Sequence, residues 1–567
     1  MTAELNAKAK DAMTEHLIAH WPLQQDTRDI TETHHGTPQH ITFTDGPGGN
    51  LSKAAQFTHP NSSVEVPSSG NLQLTNQDFS IAAWIRCDTP MRGAFGDILS
   101  KFDPVCRSGL NLQVSGSTAG YSAMSDTRHI HFGIDDGYVG PWTDCGKPWP
   151  SNTLISSLVA YEGNLYAGTT DADNPMDAAH VFRWLGGTEW EDCGRLGTDP
   201  AHLSVQSMIV HDGRLYAGTG VWDWLRASGD GFTPALSRVF VYEGGQEWRD
   251  LGPVGTSVRV LTLASFNGDL YAGLDRVGGG HCFKYDGNTW TDCGAPDGDN
   301  FENLFPLDGG LYGSTHRNQY LYDGDQTWTC ISREPHGITQ THGFQTYQGK
   351  LWAGTWPQGY VLRLDGDEWT NTGRLGIPEG DHREINEINN LVVYNGKLYA
   401  GVIPKAQVWR YESDGHWTLM NSLASRPDYT VEDTASWSRV PTMTAFQGHL
   451  FAASGSCIAR AIDADPDDTL GRVYATELGQ VVSHDHDIGT DWTHITAIRQ
   501  AKELQLYVNG THVSTTTASA GHSFDLNNPH PLTIGSGPQG AFAGRIADLR
   551  LYNTALSGEQ VSTLASE

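Results

Sequence analysis

Two columns of residues that recur together seven times, with no helical periodicity between them, predict an all-β fold for this 567-residue chain. The first column is a string close to Y-x-G-x-L-Y-A-G, as in YEGNLYAG from Tyr161 and YNGKLYAG from Tyr394. Its leucine falls at Leu165, Leu215, Leu270, Leu311, Leu351, Leu398 and Leu450. The second column is a tryptophan near the end of each unit, at Trp142, Trp190, Trp248, Trp290, Trp328, Trp369 and Trp417, usually inside a W-x-D-C-G-like string. A period of about 40 to 55 residues is that of propeller blades rather than of helical solenoids.

Each unit reads as four short strands. Strand a is apolar (LVAY, MIVH, LVVY), a glycine turn follows, strand b is LYAG, strand c is VFRW, VFVY, CFKY, VLRL or VWRY, and strand d carries the tryptophan. Blades packed on one another bury both faces, so the tryptophan and the residue three after it are expected between units. Trp142 precedes the first hairpin, whereas the last hairpin, at Leu450, is followed by a strand c from Arg472 to Thr476 and no tryptophan strand. The segment around Trp142 is therefore expected to supply strand d of the last of seven blades, which removes exposed sheet edges.

The flanks form a second ordered series. Before the repeats come HWPLQQDTRD from His20, FSIAAWIRC from Phe79, GDILSKFD from Gly96 and HIHFGID from His129. After them come DWTHITAIRQAKELQLYVNGTHV from Asp491 and FAGRIADLRLYNTALSGEQV from Phe542. With its W-x-H-I strand, its L-Y-V-N-G hairpin and its closing G-R-I-x-D-L-R-L-Y-N-x-A-L-S, this series resembles the laminin-G, concanavalin-like jelly-roll family. In that family the HIHFGID and W-x-H-I strands are joined by a short loop, and here the whole ring lies between them. The resemblance implies a seven-bladed β-propeller inserted into a loop of a discontinuous concanavalin-like β-sandwich, with sandwich segments at 1–136 and 481–567 and the propeller at 137–480. Insertion is physically permissible because a ring closed by its own ends presents those ends close together. A sandwich edging the propeller funnel would extend a substrate cleft. Calcium in the sandwich is an expectation of the same resemblance, without assigned ligands, and the sequence requires no other cofactor.

Composition bounds the partners. No apolar run approaches the 18 or so residues of a membrane span, and no charged-then-apolar leader is present, so a soluble, monomeric, cytoplasmic protein is expected, or a secreted one if a leader has been removed. The formal charge of −30 argues against nucleic acid, which requires a basic surface. Cys145, Cys193 and Cys293 occupy equivalent places in three units where others carry Leu251, Ile331, Thr372 and Met420, and read as small core residues. The remaining cysteines, Cys87, Cys106, Cys282, Cys330 and Cys457, show no C-x-x-C spacing, which favours a reducing compartment.

Chemistry is expected at the mouth of the central channel, where strand a begins and the b-to-c loops gather. Aligned on their leucines, the units place Arg259, Asn300, Gln340, Glu387 and Arg439 in one column, with Gln206, Glu302, His342 and Asn389 two residues later. The b-to-c loops add His316, Arg317 and Trp356, and the starts of strand c add His281 and Tyr360. His382, Arg383 and His336 read equally well as loop supports. In SHDHDIG, alternation puts His484 and His486 on one face of a strand and the two aspartates on the other, against a four-ligand metal site.

The funnel resembles, in architecture, those of propeller polysaccharide lyases and glycosidases, and a carbohydrate partner is expected. For β-elimination on a uronic-acid-containing glycan, His342 and His316 are the base and acid candidates, with Tyr360 a substitute for either. Arg259, Arg439 and Arg317 would neutralise the substrate carboxylate, Trp356 would stack on a sugar, and Glu387 and His281 would complete the binding set. Hydrolysis would instead use Glu302 and Glu387 as paired carboxyl groups. A noncatalytic glycan- or protein-binding scaffold is the third reading.

Overall fold

The structure is a computed structural model, and it describes residues 13–48, 51–88, 95–116, 118–119, 123–171, 174–221, 235–316, 318–333, 337–378, 386–424, 438–456 and 469–567. Its architecture is all-β, a propeller-like ring of sheets beside a pair of larger sheets. No helix among the described residues is long and apolar enough to cross a membrane.

The turn between strands a and b is the local rule of the ring. In all seven units a non-glycine residue at φ 43–53° (Glu162, Asp212, Asn267, Asp308, Gln348, Asn395, Gln447) precedes a glycine at φ 66–84°. Two successive left-handed residues make the two-residue hairpin turn whose twist matches that of the paired strands. The register closes on the flanking pair each time, as at Tyr161↔Asn164 and Tyr394↔Lys397.

The units do not form seven separate sheets. Five sheets stand as discrete blades: four are four-stranded, and a fifth, Val260–Phe266 with Asp269–Leu274, Cys282–Tyr285 and Trp290–Asp292, is extended by two further short strands. The first two units are fused into one eight-stranded sheet. They join where Thr170 pairs with Ser204 and their hydroxyls hydrogen-bond at 2.8 Å. The expected count of seven blades is corrected accordingly. The reason is that a strand b end with a small hydroxyl side chain lies close enough to the next strand a to continue the ladder. At the other end of the ring, Thr143–Asp144 pairs with Val473–Thr476, so the segment after Trp142 does supply the outer strand of the last sheet.

Tryptophans interlock neighbouring units. Trp190, Trp248 and Trp328 donate their indole N–H to the carbonyls of Cys145, Cys193 and Cys293, each at 2.8 Å, and Trp417 donates to Thr372 at 3.1 Å. Each acceptor is the residue three after the tryptophan of the preceding unit, as the two columns predict. The cysteines are buried, and their main-chain oxygens, not their thiols, hold the ladder together.

The chain's two ends share both larger sheets. Phe79–Cys87 lies between Gly544–Tyr552 and Thr493–Gln500 in one, and Ser63–Val66 pairs with Leu532–Ile534 in the other. Trp21, Phe57, Phe79, Phe132, Ile495 and Leu551 belong to the core between them. Both crossings into the ring leave one strand pair, His129–Val139 with Leu478–His484.

This pair faces the a–b turns of the ring. Asn395 Nδ2 donates to the carbonyls of Ile134 and Leu478 at 3.1 and 2.9 Å, and the N–H groups of Gly163 and Gln447 donate to the carbonyl and the carboxylate of Asp485, both at 2.9 Å. Gly133 is required here, since a Cβ would sit 2.1 Å from Asn395 Oδ1. Strand a begins at the far end from its turn, so the channel mouth with the candidate residues faces away from the larger sheets. The larger sheets therefore do not edge the funnel, contrary to the expected extension of a substrate cleft by them.

Those sheets instead reach into the ring from behind. Between Ser108–Ser115 and His129–Val139 the chain forms the short strands Thr118–Ala119 and Ala123–Met124, which lie against the innermost strands Leu154–Tyr161, Ser204–His211, Val260–Phe266, Asn303–Leu307 and Met443–Phe446. Met124 pairs in parallel with Ala264. Ser125 Oγ accepts from Val210 N at 3.0 Å, and Asp126 Oδ2 accepts from Asp212 N at 3.1 Å and Ser265 Oγ at 3.0 Å.

Two alanine substitutions separate backbone strain from docking. At Gly309 (φ 83°) nothing lies within 4 Å of an added Cβ, whereas at Gly448 (φ 75°) it would meet the Val481 carbonyl oxygen at 2.1 Å. Gly309→Ala is expected to cost about 1–2 kcal/mol from left-handed strain alone, and Gly448→Ala roughly 1–3 kcal/mol more from the clash. Equal urea midpoints for the two variants would contradict the docking of these turns.

Candidate functional site

At the channel mouth the start of strand a pairs with the end of strand b, and in five units the strand carries a bulge there, for example between His342 and Phe344 opposite Gly354 and Ala353. A bulge re-aims side chains locally, and in these units it falls at or beside the second mouth column, as at Gln206, His342 and Asn389. Gln206, Asn300, Glu302, His342, Glu387, Asn389 and Arg439 are all buried, so polar groups crowd a place where water is scarce.

They are joined in a chain of alternating charge. His316 Nε2 lies 2.8 Å from Glu302 Oε1, and its Nδ1 lies 3.3 Å from Asp299 Oδ1. Glu302 Oε2 is 3.5 Å from His342 Nδ1, and His342 Nε2 is 3.5 Å from Glu387 Oε1 and 2.8 Å from Gln340 Oε1. Glu387 accepts from Asn389 Nδ2, and Arg439 Nη1 lies 3.9 Å from its Oε1. Asn300 Nδ2 donates to Glu302 Oε1 at 3.2 Å. Arg259 is paired with Asp275 at the same mouth.

Burial alone would push the Glu302 carboxyl up. The hydrogen bond from His316 and the charges of His342, His316 and Arg259 outweigh it and hold the carboxyl down at about 2. Burial likewise works against charge on His316, but the Glu302 hydrogen bond and the Glu302 and Asp299 carboxylates raise its pKa. The pair is an imidazolium–carboxylate ion pair with a second imidazole, His342, between two glutamates. Such a set can give a proton from one ring and accept one on the other.

The remaining predicted residues divide. Trp356 ends strand b opposite Gln340, at the mouth. Tyr360 opens strand c opposite Arg374, and its carbonyl accepts from Thr355 Oγ1 at 2.8 Å. His281 is not brought into the chain of charges: its Nδ1 lies 2.9 Å from Asp292 Oδ1 between strands c and d, repeating His180 with Asp192 and Arg238 with Asp250. Arg317, His336, His382, Arg383 and Cys457 lie outside the described residues. Asp299, which holds the second nitrogen of His316, precedes the mouth columns, so the column alignment carries no signal for it.

A second polar group lies behind the ring. His484 and His486 share a face, with ring centroids 5.2 Å apart, and Asp485 points the other way, as alternation predicts. There it meets His129 and His131, more than 350 residues away in sequence; one ligand atom from each of the three lies within 4.8 Å of the others. The signal was present in HIHFGID, whose histidines alternate with core residues. Two imidazoles and one carboxylate do not resemble the oxygen sets that calcium takes.

The ion pair has a pH signature. Glu302, depressed below its ordinary 4.5, stabilises the fold above that value and loses its contribution as pH falls towards 2; His316, raised above 6.5, contributes fully below 6.5 and loses its contribution as pH rises through its elevated value. The pair therefore contributes most between pH 4.5 and 6.5. Glu302→Gln is expected to lower stability by on the order of 2–3 kcal/mol in this window and by progressively less towards pH 2. A destabilisation independent of pH in urea titrations would contradict the ion pair.

A family model described as the concanavalin A-like lectin/glucanases superfamily (Laminin_G_3) matches residues 412–562, which take in the last part of the ring as well as the C-terminal flank. No curated protein matches the chain. Among solved structures, a catalytically inactive virginiamycin B lyase from Staphylococcus aureus with quinupristin is 11% identical over 60% of this chain and 99% of that one, with a TM-score of 0.40. The WD40 propeller domain of Doa1 is 10% identical over 60% and 97%, with a TM-score of 0.38, and Trypanosoma rangeli sialidase with the inhibitor DANA is 14% identical over 76% and 94%, with a TM-score of 0.28. At these identities and TM-scores the likenesses carry no argument about chemistry. The chain thus contains a concanavalin-like match and a propeller-like ring of sheets.

Proposed function

We propose that this chain is a carbohydrate-active lyase that cleaves a uronic-acid-containing oligo- or polysaccharide by β-elimination at the channel mouth. The reading rests on the buried series His316, Glu302, His342 and Glu387. His342 removes the proton α to the substrate carboxylate, and the two glutamates 3.5 Å away stabilise the imidazolium that forms. Charged His316 returns a proton to the leaving oxygen as the C–O bond breaks and the alkene forms. Arg439 and Arg259, with Arg317, are the cations for the substrate carboxylate, whose neutralisation acidifies the adjacent C–H. Trp356 provides the stacking surface, and Tyr360 stands at the neighbouring strand start.

Hydrolysis by paired carboxyls is the weaker reading, because the His342 ring stands between Glu302 and Glu387, 3.5 Å from each, where a bond flanked by the two carboxyls would have to sit. A binding scaffold has no use for so many buried charges, each of which costs desolvation. The sheets shared by both ends of the chain support a sandwich interrupted at 137–480.

The test is ultraviolet absorbance of the full chain with a panel of uronate oligosaccharides, with mass spectrometry of the products. A new conjugated alkene is expected, reduced at least about 10²-fold by His342→Ala and by His316→Ala. Products that have gained water, lost on substitution of Glu302 or Glu387 with the histidine variants active, would replace elimination by hydrolysis. Saturable binding without product would leave the scaffold.

A further inference from the structure

We propose that His129, His131 and Asp485 form a binding site for a divalent transition metal of the zinc class, placed at the seam between the larger sheets and the ring. The strand register assembles it. His131 pairs with Ser483 and Ile130 with His484, so one step further along the antiparallel ladder brings His129 opposite Asp485. Alternation sends Ile130 and Phe132 into the core between the sheets and turns His129, His131 and Gly133 towards the ring.

Three observations point to a ligand. One candidate ligand atom from each residue lies within 4.8 Å of the others, so side-chain adjustments of about 1–2 Å would bring the donors to the roughly 3.3 Å separation of tetrahedral zinc ligands. His129 Nε2 and Asp485 Oδ1 are buried without a hydrogen-bond partner, in residues only 2% and 5% exposed; native structures rarely leave such atoms unsatisfied. The other carboxylate oxygen, Asp485 Oδ2, is held by Ser483 Oγ at 3.0 Å and Gln447 N at 2.9 Å, and Ser483 Oγ in turn accepts from Gly448 N at 3.1 Å. Outer partners of this kind orient a metal-binding carboxylate and leave its second oxygen for the ion.

The donor set selects the metal: imidazole with carboxylate suits zinc and its neighbours, whereas calcium and magnesium take oxygen. The position gives the ion a task. The main chain of Asp485 holds Gly163 in the first unit, and its side chain holds Gln447 in the last. A metal on Asp485 would pin the turns on either side of the ring closure to one sheet.

The test uses the full chain. Purified without chelator, it is expected to carry about one zinc per chain by elemental analysis, at least tenfold less in His129→Gln, His131→Gln and Asp485→Asn, and an unchanged amount in His484→Ala on the opposite face. After stripping, cobalt(II) is expected to give visible d–d absorption that zinc abolishes, and zinc is expected to raise the thermal midpoint of the unmodified chain. Should a variant fail to fold, the cobalt and thermal measurements on the unmodified chain decide alone. No d–d band together with no zinc-dependent shift overturns the proposal. Equal zinc in the unmodified chain and the folded His129→Gln and His131→Gln variants also overturns it, because the metal then sits on other histidines.

Discussion

Two consecutive left-handed residues between strands a and b fix the polarity of the ring, and the rest of the molecule is arranged around that polarity. Because the turn is the same in every unit, all seven a–b ends gather on one side. That side offers a rim of main-chain N–H groups and small polar turn residues, which the edge of a sheet can meet with its carbonyls, as Asp485 does for Gly163 N and as Ile134 and Leu478 do for the Asn395 side chain. The opposite side is left with the strand starts, where glutamate, histidine and arginine are free to vary without disturbing the docking. Scaffold and chemistry are thus segregated by a backbone conformation rather than by a partition of the chain.

The charges at the mouth are affordable only because they neutralise one another. Glu302 is as buried as an apolar core residue and stays ionised because His316 donates to it and His342 and Arg259 stand near. Removing one member leaves its neighbour charged and dry, which costs more than the pair contributes. Activity and local stability at this mouth are therefore coupled, and loss-of-function variants here need a folding control before they are read as chemistry.

Much of this was legible in the sequence because repetition makes columns, and columns report direction. The tryptophan and the residue three after it were read as an inter-unit contact, and the indole-to-carbonyl bonds of Trp190, Trp248 and Trp328 are that contact. The segment after Trp142 was expected at the end of the ring and pairs there. Columns do not report which neighbours touch. His281 shared a column with residues near the mouth, yet Asp292 on the adjacent strand captures it. The blade count was also invisible, since the fusion at Thr170 and Ser204 depends on the path between two units. His129 and Asp485 lie on opposite sides of the ring in sequence and meet only when one strand pair forms, so no local pattern joins them.

The hairpin that enters the ring from behind makes the two parts of the molecule mutually dependent. Thr118–Ala119 and Ala123–Met124 are synthesised before any ring unit, so the units assemble around a segment already present, and the first and last innermost strands both contact it. A ring cut out at its two crossings would lose this central post, leaving Val210 N, Asp212 N and Ser265 Oγ without the partners that Ser125 and Asp126 supply. It would also carry an apolar shaft open to water where Met124 now lies. Grafting this ring onto another carrier would require moving the post with it, which makes the hairpin, rather than either crossing, the true boundary of a transplantable unit.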